Sequence, residues 1–349
     1  MPPRTCQPLF ETTRGETIES RHYGALAVVT PDGRLHASIG DPDLIAFTRS
    51  TAKPFQTIPF VAAGGPAHYQ LEPDELALIC ASHSGTVAHI DVVERLQAKT
   101  GVAPDQLQCG LHPPYDKAAR AELRTQGLEP SSNHHDCSGK HTGMLAFSRM
   151  QGWPLDSYLE ADHPLQVAIL AALSTLTRLP EDSIPLGVDG CSAPNFALPL
   201  YNLALAYARL ADPQGKPPEF DPPLREIVAA MIAHPEMVSG PGRFDTALMQ
   251  AYPGRVIAKG GAEGMLAAAL LPGATGADSP ALGLALKISD GDPNNRARPA
   301  VMLEVLRQLG LPPADDPESL AAFGPSIAIK NWRDITIGEG RPSFTLQVG

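Results

Sequence analysis

The chain has 349 residues, 43% hydrophobic and 19% charged, enough for one large domain with a sizeable core and too apolar for a disordered segment. A formal net charge of −11 with no offsetting basic cluster argues against a nucleic-acid partner, and no apolar stretch approaches the ~20 residues of a membrane span. Five scattered cysteines form no disulfide framework and Met1 to Phe10 lacks a signal-peptide pattern, so a cytoplasmic, reducing compartment is expected.

Residues 22–30 and 34–39 are apolar β-formers on either side of Pro31-Asp32-Gly33, and they predict an N-terminal hairpin. A helix is expected to start at Ser50 as its N-cap, with Pro54 in the first turn and Pro59 bending it. Glu72-Pro73-Asp74-Glu75 opens the next helix, with acids where the helix dipole favours them, and it runs through Leu76, Leu78 and Ile79. Residues 89–99 and 116–126 read as amphipathic helices. Residues 162–179 read as a stronger one, with Leu165, Ile169, Leu170, Leu173 and Leu176 on one stripe. Between them, 132–143 form a polar knot too rich in His, Cys and Lys for an ordinary turn.

A helix near 196–211 precedes a Pro-rich stretch, 212–223, read as an exposed crossing or hinge, and a helix follows at 224–233. Strand-like sequence returns at Arg255 to Lys259 and Leu282 to Ser289. A helix at 298–309 and strands near 325–330 and 334–338 close the chain. Strands at both ends with helices between predict an α/β (α+β) fold. One mainly antiparallel sheet is drawn from about 1–65 and 240–349 and covered by helices, with a mostly helical lobe, about 66–239, inserted.

Four polar groups carry chemistry. Ser50 and Lys53 stand three residues apart, so on a helix they share a face one turn apart, and a neutral lysine beside a serine is a nucleophile with its own base. Bringing the amine from about 10.4 to about 7 demands roughly 4 kcal/mol, which burial supplies and exposure does not. The plainer reading is a capped helix with a solvated lysine. Ser82-His83-Ser84-Gly85 puts hydroxyls at the end of an apolar helix, where a polar C-cap would also stand. Lys259-Gly260-Gly261 places a lysine where a strand ends and glycines admit a second backbone or a ligand; an edge-strand charge is the alternative. Finally, Asp136-Cys137-Ser138-Gly139-Lys140-His141 with Asp189-Gly190-Cys191 offers thiols, imidazole and carboxylates for a borderline cation such as zinc. Buried thiols, or a redox-labile pair, fit the same residues.

Six motifs occur in order along nearly the whole chain: R-S-x-x-K-P-x-Q (49–56), C-A-S-H-S-G (80–85), C-S-G-K-H-x-G-M-L (137–145), D-G-C (189–191), G-R-F-D-T (242–246) and K-G-G-A-E-G (259–264). With them the chain resembles the Rhizobium etli-type L-asparaginases, a group distinct from the threonine-dependent enzymes and similar in fold to serine β-lactamases and penicillin-binding proteins. The resemblance implies hydrolysis of L-asparagine to L-aspartate and ammonia. Ser50 with Lys53, and Ser82 with Lys259, would form two serine–lysine tandems, with Ser50 the nucleophile. Cys137, Lys140 and Cys191 would bind zinc, Asp189 and His141 would contact substrate or the metal's surroundings, and Arg49 would neighbour the site. A homodimer is implied. Thr86 stands where the family carries Glu, and Ser192 where it carries Gly, positions that bear on substrate preference. The competing readings are a β-lactamase-like serine acyl hydrolase and a non-catalytic zinc-binding relative.

Overall fold

The computed structural model describes residues 6–213, 220–314 and 318–349, and half of the expected Pro-rich crossing, 214–219, lies outside them. The chain forms two compact units, one of residues 1–51, 198–214 and 247–349, the other of 52–197 and 215–246. The segment 198–214 belongs to the same unit as the two chain ends.

The first unit is built on strands β1 (Gln7–Arg14), β2 (Thr17–Val29), β3 (Leu35–Ile39), β7 (Val256–Gly260), β8 (Met265–Leu270), β9 (Leu282–Ile288), β10 (Ile327–Lys330), β11 (Thr336–Pro342) and β12 (Gln347–Val348). Short strands β4 (Ile45–Phe47), β5 (Leu186–Val188) and β6 (Pro194–Pro199) take the intervening numbers. The main sheet runs β10-β11-β1-β2-β9-β8-β7, with β3 paired to β2 and β12. Its paired strands run antiparallel. The expected hairpin is β2–β3: Thr30 N–H donates to the Arg34 carbonyl and Gly33 adopts φ +100°, the left-handed region that glycine enters without penalty. Helices α8 (Leu200–Ala211) and α12 (Ala297–Gln308) pack on this sheet. A Cβ at Gly283 would lie 1.9 Å from the Ala204 carbonyl oxygen, so α8 rests backbone to backbone on β9.

The second unit holds α1 (Lys53–Ala62), α2 (Gly65–Tyr69), α3 (Pro73–Ile79), α4 (Val87–Thr100), α5 (Lys117–Gln126), α6 (Ser138–Gln151), α7 (Pro164–Thr177), α9 (Asp221–Ala233) and α10 (Pro235–Val238). Phe244–Ala251 forms α11. Helix α1 packs on α7, α9 and α6, and α3 packs on α9 and α6. Gly139 lets α6 close on α3, since a Cβ there would meet the Leu78 carbonyl oxygen at 2.3 Å.

Two expectations are corrected. Ser50 is not the N-cap of a helix: residues Arg49–Ala52 form a 3-10 turn, α1 begins at Lys53, and its capping position, Ala52, supplies no side-chain bond. Arg49 turns the chain sharply with φ +51°, which blocks a regular helix from starting earlier. The helix expected from 196 starts at Leu200, because Pro194 and Pro199 bracket a short strand and Pro199 holds Leu198 extended.

Candidate active site

Helix α1 is sunk in the second unit, with Lys53, Phe55, Ile58, Phe60 and Val61 all buried. Lys53 is 1% exposed, and its Nζ donates to the Ala81 carbonyl at 2.5 Å and to Ser82 Oγ at 2.8 Å. Ser82 follows the end of α3 but does not cap it. Its N–H donates to the Val238 carbonyl, and the segment runs on through Ser84, whose Oγ donates to the Ser239 carbonyl. His83 is fully buried: Nδ1 accepts from Gly85 N–H and Nε2 faces Ser138 Oγ at 2.8 Å. Because Ser138 Oγ itself donates to the Asn133 carbonyl, the proton on this ring lies on Nε2. Burial, then the neighbouring His89 and Lys53, hold the His83 imidazole well below its ordinary range.

Ser50 and Lys259 belong to the sheet unit. Lys259 is fully buried near the end of β7, with Nζ donating to the Gly260 carbonyl at 2.9 Å. A Cβ at Gly261 would lie 3.2 Å from both Arg49 Cβ and the Thr48 carbonyl oxygen, so the glycine pair admits the backbone that leads into Ser50. Of the four hydroxyl and amine residues picked from sequence, Lys53 and Ser82 share one hydrogen bond, which crosses the expected tandems.

Asp136, expected only as part of the candidate cation site, stands beside Lys53. Burial pushes its carboxyl up, but the Lys53 charge, then the neighbouring His112 and His135, outweigh this and hold it well below the usual carboxylate range. His112 Nε2, His135 and Asp136 offer ligand atoms within 4.8 Å of one another. Yet His112 Nε2 accepts Asp136 N–H at 3.1 Å and His135 Nδ1 accepts Cys137 N–H at 3.0 Å, so both inward lone pairs already serve the backbone.

The polar knot folds as a 3-10 turn, Ser132–His134, followed by α6, whose first turn buries Ser138, Lys140 and His141. Lys140 Nζ donates to Cys191 Sγ at 3.0 Å. A hydrogen bond with Cys191 lowers the Cys137 thiol against the cost of burial, and the same bond raises Cys191. Burial lowers the Lys140 amine, but the two thiols outweigh it and raise the group. His141 Nδ1 meets Tyr158 OH at 2.6 Å, while Nε2 is buried with no hydrogen-bond partner among the described residues. Two thiols and an imidazole, with the Lys140 amine beside them, are donor types that zinc takes. Asp189 is half-buried in the turn before Cys191, accepting Gly190 N–H, and its charge acts on Lys140. Cys109, also near this group, is pushed up to about 12, by burial first. None of the five cysteines is in a disulfide.

The two departures from the motif sit at different kinds of backbone position. Ser192 sits at φ +68°, where glycine would be unstrained. Thr86 is the N-cap of α4 and accepts His89 N–H.

A sequence model of the family described as L-asparaginase II matches residues 10–342. No curated protein matches the chain. Among solved structures, a Bacillus subtilis glutaminase in covalent complex with 5-oxo-L-norleucine is similar at 13% identity, covering 82% of this chain and 88% of that one, with a TM-score of 0.40. A β-lactamase from Mycobacterium bovis is similar at 15% identity, covering 82% and 95%, with a TM-score of 0.44.

Proposed function

Because the chain belongs to the L-asparaginase II family, we propose that this amidohydrolase converts L-asparagine to L-aspartate and ammonia through an acyl-enzyme. The observation that carries the reading is a dry amine against an alcohol: Lys53 Nζ, buried, 2.8 Å from Ser82 Oγ.

In this reading Ser50, three residues before Lys53, attacks the side-chain amide carbon while the Lys53 amine takes its proton. Backbone N–H groups, that of Ser50 included, hold the oxyanion. The C–N bond then breaks, and ammonia leaves with a proton returned through Ser82 and Lys259, the latter role resting on the motif resemblance. Water hydrolyses the Ser50 ester and releases L-aspartate. Cys137, Lys140 and Cys191 would hold zinc with His141 beside them, and Arg49 and Asp189 would contact the substrate. When bound, the ion supplies a fixed positive charge that orients the amino-acid head group. Its binding requires Lys140 to shed the proton that the thiols retain. The thiol-rich site suits a reducing, cytoplasmic setting.

A diazoketone analogue of L-asparagine, followed by peptide mass mapping, tests the nucleophile. Labelling at Ser50, with turnover abolished in Ser50→Ala and the fold intact, is expected. Labelling at Ser82 in place of Ser50 would transfer the nucleophile's role to that residue.

A further inference from the structure

The G-R-F-D-T motif at 242–246 has no part in the chemistry above, yet its arginine is held at the site. Ser82, His83 and Ser84 lie between two straps of the same unit. On one side Ser82 N–H donates to Val238, Ser84 Oγ donates to Ser239, and a Cβ at Gly240 would meet Ser84 Oγ at 2.8 Å. On the other, Asp116 N–H donates to the Ser84 carbonyl at 2.9 Å, and a Cβ at Gly85 would lie 3.0 Å from Pro114. The straps meet where the Arg243 guanidinium sits over the Tyr115 ring, 5.3 Å from its centroid. Tyr115 in turn packs on His112, whose Nε2 faces Asp136.

Arg243 is half-buried, and no carboxylate pairs with it among the described residues. A guanidinium held over a ring face by cation–π attraction spends none of its N–H groups on the ring's edge, and a guanidinium can grip a carboxylate in two parallel bonds. We propose that Arg243, steadied by Tyr115, binds the α-carboxylate of the substrate and so restricts the enzyme to amides of free α-amino acids. This assignment rests on the amidohydrolase reading and makes Arg243 a specificity-determining residue, separate from the proton-transfer groups.

The test compares L-asparagine with 3-aminopropanamide, the same molecule without its carboxylate, in wild type, Arg243→Gln and Arg243→Lys. For L-asparagine the Gln variant is expected to raise KM about 10- to 100-fold, the range of a lost charge-assisted hydrogen bond, with kcat changed less than about threefold. Lys should recover part of the loss, which a folding defect would not allow. For 3-aminopropanamide wild type and the Gln variant should have equal kcat/KM. Calorimetry with L-aspartate gives a readout independent of turnover, with affinity falling by about tenfold or more in Arg243→Gln. An unchanged KM for L-asparagine with unchanged aspartate affinity would overturn the proposal, as would a wild-type enzyme that binds no aspartate. Wild type that binds aspartate through Arg243 but releases no ammonia would sink the asparaginase reading and leave the carboxylate site standing.

Discussion

At the scale of single residues, the site is defined by what its groups are denied. Lys53 and Lys259 are shut away from water, and His83 and His89 stack 5.1 Å apart in the interior. Burial first, then the charges of neighbouring groups, lowers His83 strongly; burial also lowers His89, against its bond to the Glu236 carbonyl. Both rings are therefore neutral in the fold, whereas an unfolded histidine takes a proton near 6.5. The stabilisation is complete above about pH 6.5 and is lost as the pH falls from there toward the folded values. Asp136 does not contribute in this window, since its lowered carboxyl titrates below 3.8. The urea midpoint should fall between pH 7.5 and pH 5, and less steeply in His89→Asn than in wild type, on the assumption-free ground that one neutral ring fewer must be charged. Parallel pH profiles for the two proteins would remove His89 from this account. Ser50 and Lys53 stood out in the sequence because a serine and a lysine one helical turn apart have a chemical meaning, Ser82 and Lys259 because hydroxyls end an apolar helix and a lysine precedes paired glycines, and the pairing of Ser82 with Lys259 came from the motif resemblance alone. Tyr115 and Arg243 had no such local meaning: a lone phenol or guanidinium acquires it only from neighbours far away in sequence.

Elements were legible where their signals are local. The capping box of Glu72 and Glu75 opens α3, and Pro31-Asp32-Gly33 turns the β2–β3 hairpin. Strand β8, Met-Leu-Ala-Ala-Ala-Leu, escaped because a run of alanine has no strand signature. It is a strand because β7 and β9 pair with it on both sides, while α8 packs across β8 and β9. Small residues there let helix and sheet approach closely, and Gly283 is the tightest point, with Ala204 O at 1.9 Å and Ala208 N at 2.2 Å from the site of an added Cβ. Both are backbone atoms, so no side-chain movement can relieve the clash. Gly283→Ala is expected to cost about 3 kcal/mol or more by urea denaturation. A loss below about 1 kcal/mol would mean that α8 yields at this contact.

At the scale of the whole molecule, none of the five cysteines is in a disulfide and the described helices include none long and apolar enough to cross a membrane. The homodimer and the zinc ion that the family resemblance implies are expectations about the assembled protein and are tested together. Native mass by light scattering should be twice the 36.9 kDa of the chain, and metal analysis should give one zinc per chain that Cys137→Ala abolishes. A monomeric mass would remove the dimer, and zinc retained by Cys137→Ala would remove that ligand. The order of six motifs, the lysines and serines within them, the hairpin and the helix starts are all written in residues adjacent along the chain, so the sequence by itself determined the family and the type of chemistry. The fold alone decided that Lys53 bonds Ser82, that α1 begins at Lys53 instead of Ser50, and that Arg243 lies on Tyr115. Burial and hydrogen-bond pairing depend on segments more than a hundred residues apart, such as Ser84 and Ser239, and no local pattern encodes which of them will meet.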